Sequence, residues 1–226
     1  MNPSHKHITV GSKKLLVFLN GMENTGTSSN SFSAYKTIIT NFNDYDILFI
    51  KDIKKGYWYL TAIPYISDLI QYLITYYNYT SLFGFTYSSG TICLLNLLHK
   101  YDIFKKAVII NGQVSLNQYV VSKYSTDSGC AIFRKNIIKE KYDDNYLEPL
   151  KNIPNNMLAK YIFYYNKTIS DGVNHSHLIK YFYIGDEFKD NIFFNHSTIS
   201  HKNYIKELLC NTKFLIKIKN QFDSLA

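Results

Sequence analysis

Residues 81–95 read SLFGFTYSSGTICLL: an apolar run of strand length, an abrupt turn of small residues, then an amphipathic helix. Few arrangements accommodate that order. The turn Thr86-Tyr87-Ser88-Ser89-Gly90 has the spacing of a nucleophile elbow, in which a serine sits on a tight strand-to-helix turn with its hydroxyl exposed. The positions two before and two after the serine must be small, because strand and helix backbones approach closely there. Gly90 meets that requirement, whereas Thr86 carries a branched Cβ into it. A register shifted by two would make Thr86 the nucleophile and Gly84 the leading glycine. Ser88 is preferred, because Gly90 and Cys93 then fall where close packing needs small side chains. The plainer reading of Ser88 is a helix N-cap.

The rest of the chain supplies the setting for such a turn. Residues 15–20 (LLVFLN) form a continuous apolar run that stops at Gly21, as does a strand buried on both faces of a parallel sheet, and residues 46–50 repeat the pattern. Residues 33–41 have the length of a crossover helix, and residues 62–77 place apolar side chains at helical spacing with Pro64 near the start. Residues 107–110 (AVII) are a further buried strand. Residues 159–165 are another, and a last one falls somewhere between 180 and 194. Residues 201–209 read as helix, and 212–219 as a strand or an extension of that helix. The alternation predicts an α/β fold, a three-layer sandwich around a mostly parallel sheet, with ligands bound beyond the carboxyl ends of the strands. Residues 1–226 read as a single domain, in which 113–156 form a cap or insertion with two short helical pieces, one of them around 130–139.

A serine hydroxyl is a poor nucleophile at neutral pH, so Ser88 needs a base and a carboxylate to orient that base. In this architecture the chain order is Ser, then Asp or Glu, then His. Asp171 follows the strand at 159–165, and His196 follows the last strand; both are expected at the strand edge that carries the elbow. Asp186 is the competing acid and His201 the competing base. The oxyanion that develops during acyl transfer requires backbone donors, expected from the Ser89 N–H and from the loop at Gly21 and Met22. Taken singly, Asp171 also fits a turn and His196 a surface position. A second cluster, His175, His177, His196 and His201 with Asp171, lacks metal-ligand spacing, so no metal is expected. Trp58 and Tyr59 follow a strand end and are placed to line an acceptor pocket, alongside packing as their default role.

Composition excludes more than it selects. The chain of 226 residues carries a formal charge of +8, but Arg134 is its only arginine and the lysines are scattered, which argues against nucleic-acid binding. Three cysteines without CxxC spacing fit neither a disulfide framework nor a zinc site. No apolar run reaches the roughly 18 residues of a membrane span and the N-terminus has no hydrophobic signal core, so integral membrane association is not expected and a cytoplasmic location is.

These residues resemble an α/β-hydrolase group found in bacterial surface-polysaccharide gene clusters, which includes capsule polysaccharide O-acetyltransferases. The likeness runs through residues 15–21, Leu48-Phe49-Ile50-Lys51-Asp52 with Trp58-Tyr59, residues 84–95, and Ile109-Ile110-Asn111-Gly112-Gln113, where Gln113 is similar to a glutamine of that group. The segment 162–178 with Asp171, and His196 before the terminal helix, are similar as well. Thr86, Thr91 and the lack of Gly-Gly before His196 depart from the group. A weaker resemblance is to the pimeloyl-carrier methyl ester esterases of biotin synthesis, through Phe18-Leu19-Asn20-Gly21, Ile110-Asn111-Gly112 and residues 129–138. Both imply serine acyl transfer through Ser88, His196 and Asp171 with no permanently bound cofactor. The first implies acetyl-CoA as an acyl donor and a carbohydrate hydroxyl as acceptor, with Gln113 near the substrate. The second implies a carboxylesterase on a carrier-bound ester. A hydrolase fold that has lost catalysis and serves as a binding or scaffold protein is the third expectation.

Overall fold

The structure, a computed structural model, describes residues 3–21, 32, 34–52, 59–116, 144–166, 190–195 and 199–226. Its strands are β1 (Ser4–Ile8), β2 (Lys14–Leu19), β3 (Asp46–Lys51), β4 (Ser81–Tyr87), β5 (Phe104–Ile110), β6 (Tyr161–Asn166) and β7 (Ile192–Asn195). Its helices among the described residues are α1 (Tyr35–Asn41), α2 (Ile63–Tyr77), α3 (Gly90–Leu97), α4 (Asp144–Leu147), α5 (Asn155–Leu158), α6 (His201–Cys210) and α7 (Thr212–Asp223), with 3-10 turns at Leu98–Lys100 and Pro149–Asn152. The strands form one sheet in the order β1-β3-β2-β4-β5-β6-β7. β1 runs antiparallel to β3; every other pairing among the described residues is parallel.

Each central strand feeds both faces of the sheet because successive side chains alternate. Leu15, Val17 and Leu19 of β2 join Ala107 and Ile109 of β5 on one face, against α2, α3 and the short helices near residue 150. Leu16 and Phe18 join Val108 and Ile110 on the other, against α1, α6 and α7. Those two cores make the three-layer α/β sandwich that the alternation predicts. On the second face aromatic rings interlock: Phe83 stacks on Phe222 of α7 at 4.8 Å between centroids.

Four local outcomes differ from the sequence reading. β1 is an edge strand without an apolar run; only one side of SHKHI meets the protein, so its burial is partial along its length. The helix α3, expected to be amphipathic, is buried at every residue, because helices of the 144–158 segment cover the side that would otherwise face water. Residues 212–223 are a separate helix: Asn211 breaks the chain after α6 and its side-chain oxygen accepts from the Phe214 N–H, capping α7. β5 begins at Phe104, three residues before the expected start. Of the expected cap at 113–156, residues 117–143 and the helical piece at 130–139 lie outside the described residues.

Candidate active site

The parallel strands bring their carboxyl ends to one edge. Leu19 pairs with Thr86, Tyr87 with Ile110, Ile110 with Tyr164, and Tyr164 with Phe193. Polar residues end the apolar strands there and tie them together laterally. The Asn20 N–H donates to the Ile50 carbonyl at 2.9 Å, the Asn111 N–H to the Tyr164 carbonyl at 2.8 Å, and the Asn166 N–H to the Asn111 Oδ1 at 2.9 Å. The Tyr165 hydroxyl donates to the Gly112 carbonyl at 2.9 Å. Strand ends locked this way form a rigid frame for whatever projects from them.

Ser88 sits at the centre of that frame, between β4 and α3, and its φ is +50°. A serine pays a steric cost of about 1–2 kcal/mol in this left-handed region, where its Cβ meets the following carbonyl. The surroundings hold it there: the Ser88 N–H donates to the Ile110 carbonyl at 3.1 Å, and the Ser88 carbonyl accepts from the Thr91 N–H at 3.3 Å and the Gln113 N–H at 3.5 Å. The residues on both sides of it are buried, whereas Ser88 is half-exposed. The turn therefore lifts one serine out of an otherwise buried strand and helix, as an elbow requires.

The glycine spacing has a measurable cause. A Cβ on Gly90 would lie 2.4 Å from the Thr86 Oγ1, 3.0 Å from the Leu19 carbonyl and 3.1 Å from the Asn20 carbonyl. Thr86 fits where a glycine was expected because its hydroxyl donates to the Leu19 carbonyl at 2.9 Å, so its polar atom is satisfied inside the sheet. With that hydroxyl engaged and the residue wholly buried within β4, Thr86 is not presented to a substrate, and the shifted register is set aside.

On the other side of Ser88 lies the loop after β2. A Cβ on Gly21 would fall 3.1 Å from the Ser88 Cβ and 2.5 Å from the Tyr87 ring, so only glycine lets this backbone cross the elbow so closely. Neither the Gly21 N–H nor the Ser89 N–H donates to another group among the described residues. Ser89 immediately precedes α3, where the orphan amides of the first turn and the helix dipole favour negative charge.

Of the two roles expected for Tyr59, packing and pocket lining, its surroundings fit the first. It is wholly buried, its φ is +65°, and its hydroxyl donates to the Asn20 carbonyl, with the Ile50 carbonyl 3.2 Å away. Its N–H donates to the Asp52 Oδ2 at 2.9 Å. A ring without exposed surface cannot line an acceptor pocket; it braces the loop under Gly21 instead. Burial first, then the Asp52 carboxylate, push its phenol well above the usual tyrosine range, so it stays a donor. Gln113 follows β5 and reaches the elbow through its N–H on the Ser88 carbonyl; it is also buried, with its Nε2 donating to the Ser115 carbonyl at 3.3 Å. Burial likewise raises the Cys93 thiol well above its ordinary value, which makes it an inert packing group under the elbow.

Asp171, His196, Met22, Trp58, Asp186, His175 and His177 lie outside the described residues, and of His201 only the backbone, at the start of α6, is described. The strands that precede Asp171 and His196, β6 and β7, end at Asn166 and Asn195, on the same edge as Ser88. Sequence reasoning overlooked Asn111. Its φ is +45°, it is fully buried, and its Nδ2 has no hydrogen-bond partner among the described residues. The available signal was that the apolar strands at 15–19, 107–110 and 161–165 are each followed directly by Asn.

No protein-family model and no curated protein matches the sequence, so the likenesses found are those of structure. The capsule O-acetyltransferase of Neisseria meningitidis serogroup A superposes with a TM-score of 0.59 at 14% identity, over 92% of this chain and 92% of that one. A lipase-esterase related protein from Clostridium acetobutylicum ATCC 824 gives 0.57 at 14% identity, over 97% and 99%. Carboxyl esterase 2 from the fungus Tuber melanosporum gives 0.66 at 10%, over 99% and 82%. Together with the strand order, the antiparallel edge strand and the elbow after β4, these place the chain in the α/β-hydrolase fold.

Proposed function

We propose that this protein is a serine-dependent acyl-transfer enzyme in which Ser88 is the nucleophile, His196 the general base and Asp171 the residue that orients it. The observation that carries the reading is the +50° φ of a half-exposed serine at the end of a central parallel strand. A chain that needed only a helix cap there would have no reason to hold a strained serine. The Ser88 Oγ attacks the acyl carbonyl carbon as its proton passes to the His196 imidazole. The oxyanion is met by the N–H groups of Ser89 and the Gly21–Met22 loop, and the leaving group departs with the proton from His196. The acyl-serine then passes its acyl group to water or to an incoming hydroxyl.

The substrate class we favour is an O-acetylated or O-acetylatable surface polysaccharide, with acetyl-CoA as donor in the synthetic direction. Support comes from the fold shared with a capsule O-acetyltransferase and from the net charge of +8, which suits an acidic glycan. The test separates transfer from hydrolysis. The purified protein is incubated with acetyl-CoA, with and without an acidic oligosaccharide, and in parallel with p-nitrophenyl acetate. Acceptor-dependent release of CoA with addition of one acetyl group to the oligosaccharide supports transfer; p-nitrophenol release alone supports an esterase. Turnover that survives in Ser88→Ala would sink both.

A further inference from the structure

The loop after β2 carries a second consequence, which rests on Ser88 being the nucleophile. In a trans peptide the carbonyl and the N–H of the shared plane point in opposite directions. The Asn20 carbonyl and the Gly21 N–H are the two ends of one such plane. The carbonyl end is fixed: the buried Tyr59 hydroxyl donates to it, and it lies 3.1 Å from where a Gly90 Cβ would sit. The N–H end therefore faces away from Tyr59, on a residue whose own Cβ position is 3.1 Å from the Ser88 Cβ. Tyr59 is in turn held at a φ of +65°, and its N–H is anchored on Asp52. A strained backbone that keeps one hydroxyl under one carbonyl is a costly way to fill space, and an ordinary core residue at this position would need none of it.

We propose that Tyr59 is a positioning residue for acyl transfer: by holding the Asn20 carbonyl, it sets the Asn20–Gly21 peptide so that the Gly21 N–H is the second oxyanion donor beside Ser88. The residue touches neither substrate nor reacting atoms and acts through the peptide plane. Without the hydroxyl, that plane loses the bond that fixes its carbonyl end, and a donor that must be preorganised is less firmly held.

The test is Tyr59→Phe, which keeps the ring and removes the one hydroxyl. Active sites are counted by titration with a fluorophosphonate, and kcat and KM for p-nitrophenyl acetate are measured per titrated site. The expected result is a fall in kcat of about 10- to 100-fold with KM changed by less than about twofold, a weaker form of the loss seen when an oxyanion donor is removed outright. A second readout follows the Gly21 amide by ¹⁵N–¹H spectroscopy after phosphonylation of Ser88. In the wild type its proton moves downfield against the phosphoryl oxygen of the adduct; in Tyr59→Phe the movement shrinks. An unchanged kcat per titrated site, or a Gly21 amide that ignores the adduct, overturns the role of Tyr59 while leaving the nucleophile intact. A wild type that takes up no probe removes the acyl-transfer reading, and this inference with it.

Discussion

The two edges of the central sheet are built from the same strands and treat their polar groups in opposite ways. At the amino edge the charges of Lys14, Asp44, Lys219 and Asp223 are paired. Lys14 bridges Asp44 at 2.6 Å and Asp223 at 2.9 Å, Lys219 bridges Asp44 at 3.0 Å, and the Tyr45 hydroxyl donates to Asp223 at 2.7 Å, so α7 is tied to the start of β2. Nearby, the buried Asp46 accepts from the N–H groups of Val10 and Ser12 and from the Tyr79 hydroxyl at 2.6 Å. At the carboxyl edge the backbone takes a positive φ at Tyr59, Ser88 and Asn111, and the amides of Gly21 and Ser89 stay without partners among the described residues. The positive φ of Asn78, before β4, is an ordinary helix C-cap and carries no such tension. The contrast separates the region that secures the fold from the region that holds reactive geometry, as expected when strain at a site is supported by stability elsewhere.

Substitutions at the two edges should therefore dissociate activity from stability. The largest effect is expected from Ser88→Gly. Loss of the nucleophile should lower kcat by about 10⁴-fold or more, while glycine relieves the positive φ and leaves stability unchanged or raised by up to about 1 kcal/mol; urea unfolding beside ester turnover measures both. At the amino edge, Phe222→Ala removes a fully buried ring stacked on Phe83 and should cost about 3–5 kcal/mol. Its kcat per titrated site should stay near wild type. Gly90→Ala tests the crowding directly: the new Cβ meets the Thr86 Oγ1 and two carbonyls, and about 1–3 kcal/mol should be lost. Adding Thr86→Ala should recover part of it, as a double-mutant cycle would show.

The smallest effect concerns pH and belongs to the amino edge. Burial opposes ionisation of Asp223, but hydrogen bonds from Lys219, Lys14 and Tyr45 overrule it and hold the carboxyl down to about 2, below its ordinary 3.8. A depressed carboxylate stabilises the fold above the unfolded value and loses that contribution as pH falls toward the folded one. Thermal melts between about pH 4 and pH 2 should show a steeper fall for wild type than for Asp223→Asn. Equal slopes would mean that the cluster is screened by solvent and adds little.

Much of this frame was legible because parallel strands are buried on both faces and read as unbroken apolar runs, as at residues 15–20 and 81–87. β1 was not, since an edge strand meets the core on one side and SHKHI carries no apolar signal. The helix α7 was ambiguous because IKIK alternates like a strand, and only the cap at Asn211 and the burial of Leu215, Ile218 and Phe222 reveal its helical face. Ser88 was legible through its small neighbours. Tyr59 was read as packing by default and as a pocket wall because it follows a strand end; nothing in residue type announces a positive φ or a hydroxyl aimed at one carbonyl. Thr86, the apparent flaw in the motif, became intelligible only when its hydroxyl was found on the Leu19 carbonyl.

The central claim is that the strained serine is the reactive group, and the most direct measurement is the site of covalent modification. The folded protein is treated with a fluorophosphonate, digested and mapped by mass spectrometry, beside Ser88→Ala shown to be folded by its melt. The account predicts a single phosphonyl adduct on Ser88 in the wild type and none in the variant. An adduct on another residue, or a folded wild type that stays unmodified, would contradict it.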